Sequence, residues 1–430
     1  MFKIKYNFLV LIQILISILN SVILLKLFGV SYKADVYLMS IAIFSSISLL
    51  QLMFVEQFMY FYNDAKTVGN EYAYKFYNFS LFFSLATGLV MFLIFYIFRN
   101  FLVELYAFGI DPERRDLLVK SVTILVFSGI FNLALYVNIR FLNAEMHFSL
   151  PYILEMIPGF MTLLMLIYSL IFKLNNIEPI LIARIIGTVI SLSISIYFIF
   201  KYINVPFNIV LKHKLAASFI KNSISMRFGH NIHNLLFTPI TSNILAVLPS
   251  SYASIFYYAQ RLIQIVYSLT TGPSHRVFVV KVSKLFSNKK YDEIKKSAIQ
   301  YLKIVLILYV VFSVIVFLII PYILPILSSK LTTQNIWMIE MMFLFLSVWY
   351  FILTLESSVT PIGISSKRSK IFITTNTIFI VTYFFISFFL KEIIGIYSIP
   401  VAATIAQLIN LILYVLFAKK ILKEYNVTES

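Results

Sequence analysis

Long apolar runs separated by short polar segments make up most of the sequence. A helix needs roughly 20 apolar residues to cross the hydrocarbon layer of a membrane. Runs of that length lie near residues 7–28, 36–61, 79–98, 118–140, 149–172, 180–200, 216–248, 252–278, 301–327, 334–358, 371–390 and 393–418. The pattern predicts an all-α polytopic membrane protein of about twelve transmembrane helices. The first run lacks a small-residue cleavage site, so we expect it to be a retained span.

Polar residues recur at helical spacing within two neighbouring runs. On the run 216–248 they are Arg227, His230, Asn231, Asn234 and Thr238. On the run 252–278 they are Tyr257, Arg261, Gln264, Ser268, Thr271 and His275. Residues three and four positions apart share one helical face, so each set predicts a polar stripe. A rise of ~1.5 Å per residue places both arginines near mid-depth of a ~30 Å layer.

Charged side chains at that depth are costly and usually have a function. The structural alternative is that each arginine pairs with a buried carboxylate and holds helices together. Both alternatives stay open from the sequence alone.

The composition agrees with a membrane protein. Hydrophobic residues make up 60% of the chain and charged residues 12%, with a mean hydropathy of +0.92. Soluble domains contain about a quarter charged residues. Cysteine is absent, which excludes disulfides and thiolate metal sites, and the five histidines are too scattered to indicate a metal site. We therefore expect no cofactor and no metal.

The distribution of lysine and arginine predicts the orientation. If the N-terminus is cytoplasmic, the inside loops carry far more basic residues than the outside loops, which places both termini in the cytoplasm. The same bias accounts for much of the net charge of +17. Nucleic-acid binding is the weaker interpretation, because no basic segment alternates with exposed aromatic residues in a soluble domain.

A weak internal repeat predicts two halves. The segments 31–37 and 251–257 open corresponding spans, and each span is followed by a charged connector. A division near Val205-Pro206 gives six-helix bundles at residues 1–206 and 207–430, with the substrate path between them.

Short motifs then resemble a known family. They are Phe28-Gly29 with Ala34-Asp35, Leu142-Asn143 with Phe148-Ser149 and Pro151, Tyr257-Tyr258-Ala259-Gln260-Arg261-Leu262, Ser283-Lys284 with Asp292-Glu293, and the segment Gly395 to Asn410. In this order they resemble the MurJ/MviN-type lipid II flippases. More broadly, they resemble the multidrug/oligosaccharidyl-lipid/polysaccharide (MOP) exporters, which include the Wzx-like O-antigen and capsule flippases.

The resemblance implies a V-shaped, MATE-like pair of six-helix bundles around a cationic cavity that opens alternately to either side. It implies export of an undecaprenyl-diphosphate-linked oligosaccharide across a bacterial inner membrane. The expected partners are that lipid-linked oligosaccharide, membrane lipids and other proteins of envelope polysaccharide biosynthesis, and the expected state is a monomer.

Helix 1 departs from the family pattern. The lipid II flippases carry arginines in helix 1 and early in helix 2, whereas helix 1 here offers Gln13, Ser17, Asn20 and Ser21 on its polar face. The family also has fourteen helices, against the twelve expected here. A surface or capsular polysaccharide repeat unit therefore fits better as cargo than lipid II.

The substrate-binding residues follow from the chemistry of a diphosphate. Such a group crosses a low-dielectric layer only along a path with fixed positive charge and hydrogen-bond donors. Arg227 and Arg261 present a planar fork of donors that matches phosphate oxygens. His230, Asn231, Gln264 and Ser268 are expected to contact the remaining oxygens or the first sugars.

Several ionisable residues are candidates for gating or coupling. Asp35 and Lys33, at the outer end of helix 2, are either a helix-end cap or part of an outer gate. Glu56, Glu155, Glu340 and Glu356 are each candidates for a Na⁺ or proton coupling site or for the counter-ion of an arginine, and the sequence does not choose among them. The membrane potential alone would also drive export of an anion, by ~2.3 kcal/mol per charge per 100 mV.

Two other classes of protein are disfavoured. A cation-coupled drug antiporter of the same superfamily needs a carboxylate-rich N-terminal cavity, and helix 1 contains no acid. A glycosyltransferase or polymerase needs paired acids or a large outer loop, and the longest outer loop, 99–116, is too short for a domain. We therefore expect no enzymatic activity.

Overall fold

The computed structural model describes residues 2–287, 290–366 and 369–427. Side chains are described in these ranges except at 2–7, 10, 225–234, 273, 276, 287, 364, 369–370 and 425–427. All regular structure within the described residues is helical. The helices are α1 Phe2–Phe28, α2 Tyr32–Leu52, α3 Phe58–Val68, α4 Asn70–Ile97, α5 Arg99–Tyr106, α6 Pro112–Ala144, α7 Ser149–Ile171, α8 Glu178–Lys201, α9 Ala216–Val247, α10 Tyr252–Ser287, α11 Tyr291–Leu327, α12 Thr333–Glu356, α13 Thr360–Ser365, α14 Ser369–Ile394 and α15 Ser398–Val427, with a 3₁₀ turn at Gly395–Tyr397.

Twelve of these helices contain 21 residues or more, and each coincides with one predicted span. The described residues contain nine segments that are long and apolar enough to cross a membrane, and the last of them, Ile371–Glu424, holds both α14 and α15. The helix α10 falls outside this set because its polar residues lower the hydropathy, whereas α9 is represented by the shorter apolar stretch Leu235–Val247, because the side chains at 225–234 lie outside the described residues. The prediction of an all-α polytopic membrane protein is confirmed.

The chain forms two compact units, Met1–Asn231 (unit 1) and Ile232–Ser430 (unit 2), and their boundary falls within α9. The predicted division into six-helix bundles near residue 206 stays a prediction. We call the end of unit 1 at which α2, α6 and α8 begin its outer end, following the predicted orientation.

Glycines allow helices of unit 1 to approach closely. A Cβ atom on Gly88 of α4 would lie 2.7 Å from the Cα of Ile130 on α6. A Cβ on Gly187 of α8 would lie 2.6 Å from the Cα of Pro158 on α7. Backbone contact of this kind replaces the hydrophobic effect as a source of helix association in lipid, because dispersion then acts between whole helix surfaces.

The connector between α8 and α9 is fixed to unit 1. Val205 is buried, and the Nδ2 of Asn78 on α4 donates to the carbonyl oxygen of Pro206 at 2.8 Å. The imidazole of His213 packs on the rings of Tyr72 and Phe76, at centroid distances of 4.6 and 5.3 Å. These contacts hold the connector along α4 even though it has no regular structure.

Unit 2 packs through aromatic rings and alanines. Phe237 of α9 stacks on Tyr383 of α14 at 4.7 Å, and the Tyr383 hydroxyl hydrogen-bonds that of Thr241 at 2.8 Å. Ala402 and Ala406 of α15 are fully buried. Small side chains at this face let α15 lie close to its neighbours.

Candidate functional site

The predicted substrate-binding residues of α9 fall in one continuous helix. The side chains of Arg227, His230 and Asn231 lie outside the described residues. Their helical spacing, and hence their shared face, follows from the backbone of α9.

The predicted stripe of α10 divides into an accessible part and a buried part. Arg261 and Ser268 are exposed and Gln264 is half-buried, with its side chain hydrogen-bonded to the hydroxyl of Tyr350. One turn further along the helix, Thr271 is buried. An exposed arginine on the same helical face as an amide and a hydroxyl offers the kinds of donor that bind phosphate.

Asp35 lies in a buried ion pair at the outer end of unit 1. Its carboxylate is fully buried, and its Oδ2 lies 3.7 Å from the Nη1 of Arg114, a guanidinium that is only 4% exposed. The Nη2 of Arg114 also contacts Asp111 at 2.8 Å. Ser31 caps α2 by accepting a hydrogen bond from the amide of Ala34. The cap is therefore Ser31, which leaves Asp35 as the partner of Arg114.

Lys33 lies near this pair but has a different partner. Its Nζ donates to the carbonyl oxygen of Asn175, in the loop between α7 and α8, at 2.7 Å. The two residues therefore connect the start of α2 to two different elements, α6 and the α7–α8 loop.

Glu56 lies in the short break between α2 and α3, at the opposite end of unit 1. The hydroxyl of Tyr136 on α6 donates to its Oε2 at 3.1 Å. Arg140 donates in turn to this hydroxyl, and its guanidinium lies 4.7 Å from the centre of the Tyr136 ring. The tyrosine thus connects the carboxylate to the guanidinium.

A neighbouring cluster was not predicted from the sequence. The Nζ of Lys66 lies 2.7 Å from Oε1 of Glu145, which also accepts a hydrogen bond from the Tyr62 hydroxyl at 2.6 Å. Burial, and then the hydrogen bond to the Glu145 carboxylate, raise the pKa of Tyr62. The cluster attaches the amphipathic helix α3 to the end of α6. The sequence did not indicate this cluster because Tyr62 and Glu145 are 83 positions apart, and helical spacing relates only residues of one helix.

Glu356 is the buried carboxylate of unit 2. Its Oε2 accepts hydrogen bonds from the side-chain amides of Gln407 and Asn410, the latter at 3.1 Å. The Oε1 of Gln407 accepts a hydrogen bond from the indole of Trp349 at 3.3 Å. The signal available in the sequence was the pair of amides three positions apart in the apolar run of α15.

A second polar group adjoins this carboxylate. The hydroxyl of Tyr301 on α11 lies 3.1 Å from the Oγ of Ser357 and 3.4 Å from the Nδ1 of His275. His275, which the sequence assigned to the α10 stripe, therefore points to the interior of unit 2.

The remaining acidic candidates lie apart from these groups. Glu155 of α7 is exposed and Glu340 of α12 is half-buried. Of the six gate and coupling candidates, Asp35 and Glu356 are the two that are buried. Within the described side chains, no group of three or more His, Asp or Glu residues is placed to hold a metal ion.

Comparisons with known proteins address the whole chain. The family model "Lipid II flippase MurJ" matches residues 24–428. The solved structure of a lipid II flippase MurJ in an inward closed conformation is similar, with a TM-score of 0.81, 17% identity, and coverage of 99% of this chain and 90% of that one.

Multidrug MATE transporters of the MOP superfamily are also similar in structure. An inward-facing one gives a TM-score of 0.79 at 11% identity, covering 97% of this chain and 96% of that one. An outward-facing one gives 0.66 at 11% identity, covering 98% and 95%. At such identities the structural likeness shows the fold alone. No curated protein matches the chain by sequence.

Proposed function

The chain belongs to the MurJ lipid II flippase family, and on that basis we propose that it moves an undecaprenyl-diphosphate-linked oligosaccharide from the cytoplasmic to the periplasmic leaflet by alternating access. The observation that carries the proposal is the family match over residues 24–428. Members of this family are transporters, so the chain is a multi-pass membrane transporter and no enzyme. Its substrate is a lipid-linked precursor, and membrane lipids surround it.

The diphosphate is held by the polar faces of α9 and α10. Arg261 is accessible on α10, beside Ser268 and Gln264. We propose Arg227, His230 and Asn231 as the phosphate-binding residues of α9. A guanidinium suits this task because it stays charged at any working pH and binds two phosphate oxygens at once. The prenyl chain stays in the lipid.

The polar face of α1 supports a polysaccharide repeat unit as the cargo. Residues 11–25 carry no charged side chain. The Nδ2 of Asn20 donates to the carbonyl oxygen of Gly159 at 3.0 Å, and Ser21 donates to that of Ser17. The first bond joins α1 to α7 and the second lies within α1, and neither group carries the fixed charge expected for the lipid II flippases. Amides and hydroxyls on α1 are therefore better matched to neutral sugar groups.

Glu356 is the proposed coupling group. A buried carboxylate that rests on the neutral amides of Gln407 and Asn410 gains from a bound proton or Na⁺, since either one removes an uncompensated charge. Asp35 already has a cationic partner in Arg114 and is assigned to the outer gate.

We propose that the protein lies in the bacterial inner membrane with both termini in the cytoplasm. Because the chain has no cysteine, single introduced cysteines test this topology directly. Asn176→Cys should react with an impermeant maleimide added to intact cells, whereas Asp64→Cys and Asn208→Cys should react only after lysis. The reverse pattern would overturn the orientation.

The test of cargo binding is native mass spectrometry on the full chain, with undecaprenyl-diphosphate oligosaccharide against phosphatidylglycerol as the competing anionic lipid. Wild type should retain the diphosphate lipid. Arg227→Ala and Arg261→Ala should lose it, and Arg115→Ala, at an outer ion pair with Glu104, is the matched control. Loss in the control as well, or retention in both test variants, would refute the binding site.

Transport is tested with the same variants in proteoliposomes. Wild type should move the lipid-linked saccharide between leaflets and respond to an imposed proton or Na⁺ gradient. Glu356→Gln should still bind cargo but lose the response to the gradient, whereas Glu340→Gln should keep it. An unchanged gradient response in Glu356→Gln would exclude this residue as the coupling group.

The alternative is a cation-coupled antiporter of drugs or other small molecules. The likeness to multidrug MATE structures favours it at the level of fold. In the mass spectrometry experiment, retention of a cationic drug such as ethidium, together with failure to retain the diphosphate lipid, would replace the flippase proposal with this one.

A further inference from the structure

The outer end of unit 1 contains an open cavity of about 350 Å³. It lies between the start of α2, the first turns of α6 and the loop that joins α7 to α8. Its volume is at the lower end of the range for small-molecule sites, ~300–1,000 Å³.

The cationic side chains of this cavity are already engaged. The Nζ of Lys33 donates to the carbonyl oxygen of Asn175 at 2.7 Å, and the Nζ of Lys120 pairs with Glu178 at 3.0 Å. With Glu113 and Asp116 also in the lining, the cavity holds three carboxylates against two ammonium groups. This balance disfavours a phosphate or a uronic acid as the ligand, because a second anion would meet a net negative charge.

The unengaged polar groups are those that bind hydroxyls. The side chains of Glu113, Asp116 and Asn176 are exposed and make no hydrogen bond or ion pair within the described part of the chain. Carboxylates accept hydrogen bonds from hydroxyl groups, and an amide both donates and accepts. Together they offer several hydrogen-bonding groups within one small cavity.

Apolar surface lies beside these polar groups. The Tyr32 ring, Leu117 and Ile177 line the same cavity. A sugar ring has hydroxyls at its edge and C–H groups on its faces, and an aromatic side chain with a polar tip suits such a ligand. Aromatic surface next to unengaged carboxylates and amides therefore matches a saccharide better than an inorganic ion.

We propose that this outer cavity is a saccharide subsite, which takes a neutral or amino sugar of the transported lipid-linked oligosaccharide as it reaches the outer face. The assignment rests on the proposed flippase function and extends it to the sugar. The subsite selects on the head group, whereas the arginines of α9 and α10 act on the diphosphate.

The first test uses free sugars and the full chain in lipid nanodiscs. Saturation-transfer difference NMR with N-acetylglucosamine, galactose, glucosamine and glucuronate measures binding without the lipid. Glucuronate should bind weakest. Tyr32→Leu and the double variant Glu113→Gln/Asp116→Asn should weaken binding of the best sugar by about tenfold.

Matched controls lie on α3, at the opposite end of unit 1. Tyr60 is 65% exposed, so Tyr60→Leu removes an exposed tyrosine outside the cavity. Asp64→Asn removes an exposed carboxylate from the same helix. Both controls should bind sugar as wild type does. Equal loss in controls and test variants, tightest binding of glucuronate, or no binding of any sugar by wild type would overturn the subsite.

The second test separates this proposal from the flippase function. Native mass spectrometry compares retention of undecaprenyl diphosphate with and without its oligosaccharide. The cavity variants should lose only the extra retention that the saccharide gives. If wild type retains both lipids equally, the subsite fails and the flippase proposal stands. If free sugars bind in the cavity but neither lipid is retained, the cavity binds sugars without a flippase role, and the assignment to transported cargo fails.

Discussion

In unit 1 the buried carboxylate of Asp35 lies beside the buried guanidinium of Arg114, whereas in unit 2 the buried carboxylate of Glu356 rests on two neutral amides. The difference separates a fixed charge from an exchangeable one. Opposite charges in contact hold each other ionised. A carboxylate with neutral partners retains an uncompensated charge that a proton or a cation removes. With the roles proposed above, the paired charges of unit 1 hold the outer gate in one state, whereas the carboxylate of unit 2 responds to ions.

The two units also differ in how closely their helices approach at glycine residues. In unit 1 a Cβ on Gly88 or Gly187 would approach another helix backbone within 2.7 Å. In unit 2 a Cβ on Gly272 of α10 would meet no described atom of another helix within 4 Å. The closely packed helices of unit 1 therefore leave less room for change than this part of α10.

The largest expected effect comes from breaking the ion pair of unit 1. Arg114→Leu leaves Asp35 charged and buried, which should cost about 3 to 5 kcal/mol of unfolding free energy. The double variant Asp35→Asn/Arg114→Leu should recover most of the loss, because no buried charge remains and the carboxylate of Asp111 is exposed to solvent. Equilibrium unfolding in mixed micelles measures both. Equal destabilisation in the single and double variants would show that packing, rather than charge, holds this site.

The next largest effect on the unfolding free energy is expected at the glycine contacts between helices. Gly187→Ala forces α8 away from Pro158 and should cost about 2 to 3 kcal/mol. Gly272→Ala should cost less than Gly187→Ala, since the added methyl group would meet no described atom of another helix and is opposed only by the restriction that Pro273 places on the residue before it. The same unfolding titration compares the two. A similar loss at both positions would mean that unit 1 is no more closely packed than α10.

A smaller loss is expected at the amides of unit 2. Gln407→Leu removes a donor to Glu356 and the acceptor of Trp349, and should cost about 1 to 2 kcal/mol. Adding Glu356→Gln to this variant should reduce the loss, because the carboxylate no longer needs the missing donor. If the second change deepens the loss, the carboxylate is stabilised by charge, as in unit 1.

The smallest effect concerns pH and the connector of unit 1. Burial against aromatic rings lowers the pKa of His213, and a hydrogen bond to the backbone of Tyr72 opposes the shift only in part. The unfolded imidazole therefore binds a proton at a higher pH than the folded one. The contribution of His213 to the unfolding free energy should be fully present above the ordinary histidine pKa of about 6.5. It should fall as the pH drops through the pKa of the folded state.

The measurement for His213 is the unfolding free energy of wild type relative to His213→Phe, from about pH 7.5 to about pH 5. The wild-type protein should lose relative stability at the acidic end. A difference that does not change with pH would show that the imidazole is neutral in both states or that burial does not change its pKa.

Hydropathy located the twelve long helices, because each must bury or expose a continuous apolar surface. These twelve include α9 and α10, although the polar stripes of both helices lower their hydropathy. Partners across helices could not be predicted. Asp35 and Arg114 lie on different helices, and helical spacing relates only residues of one helix. His275 was assigned to the polar stripe by its spacing, yet it contacts Tyr301 in the interior, because spacing does not state which neighbour a face meets.

The length of α11 links the protein to the thickness of its membrane. Its 37 residues span roughly 55 Å, far more than the ~30 Å hydrocarbon layer. Beyond Lys303, the last charged residue of this helix, its exposed apolar side chains extend from Ile304 to Ile326, a distance of roughly 33 Å. A bilayer with shorter acyl chains would leave part of this surface in water unless α11 tilted or the lipid around it stretched. The lipid composition of the host membrane should therefore affect this transporter through the length of the acyl chains as well as through the charge of the lipids.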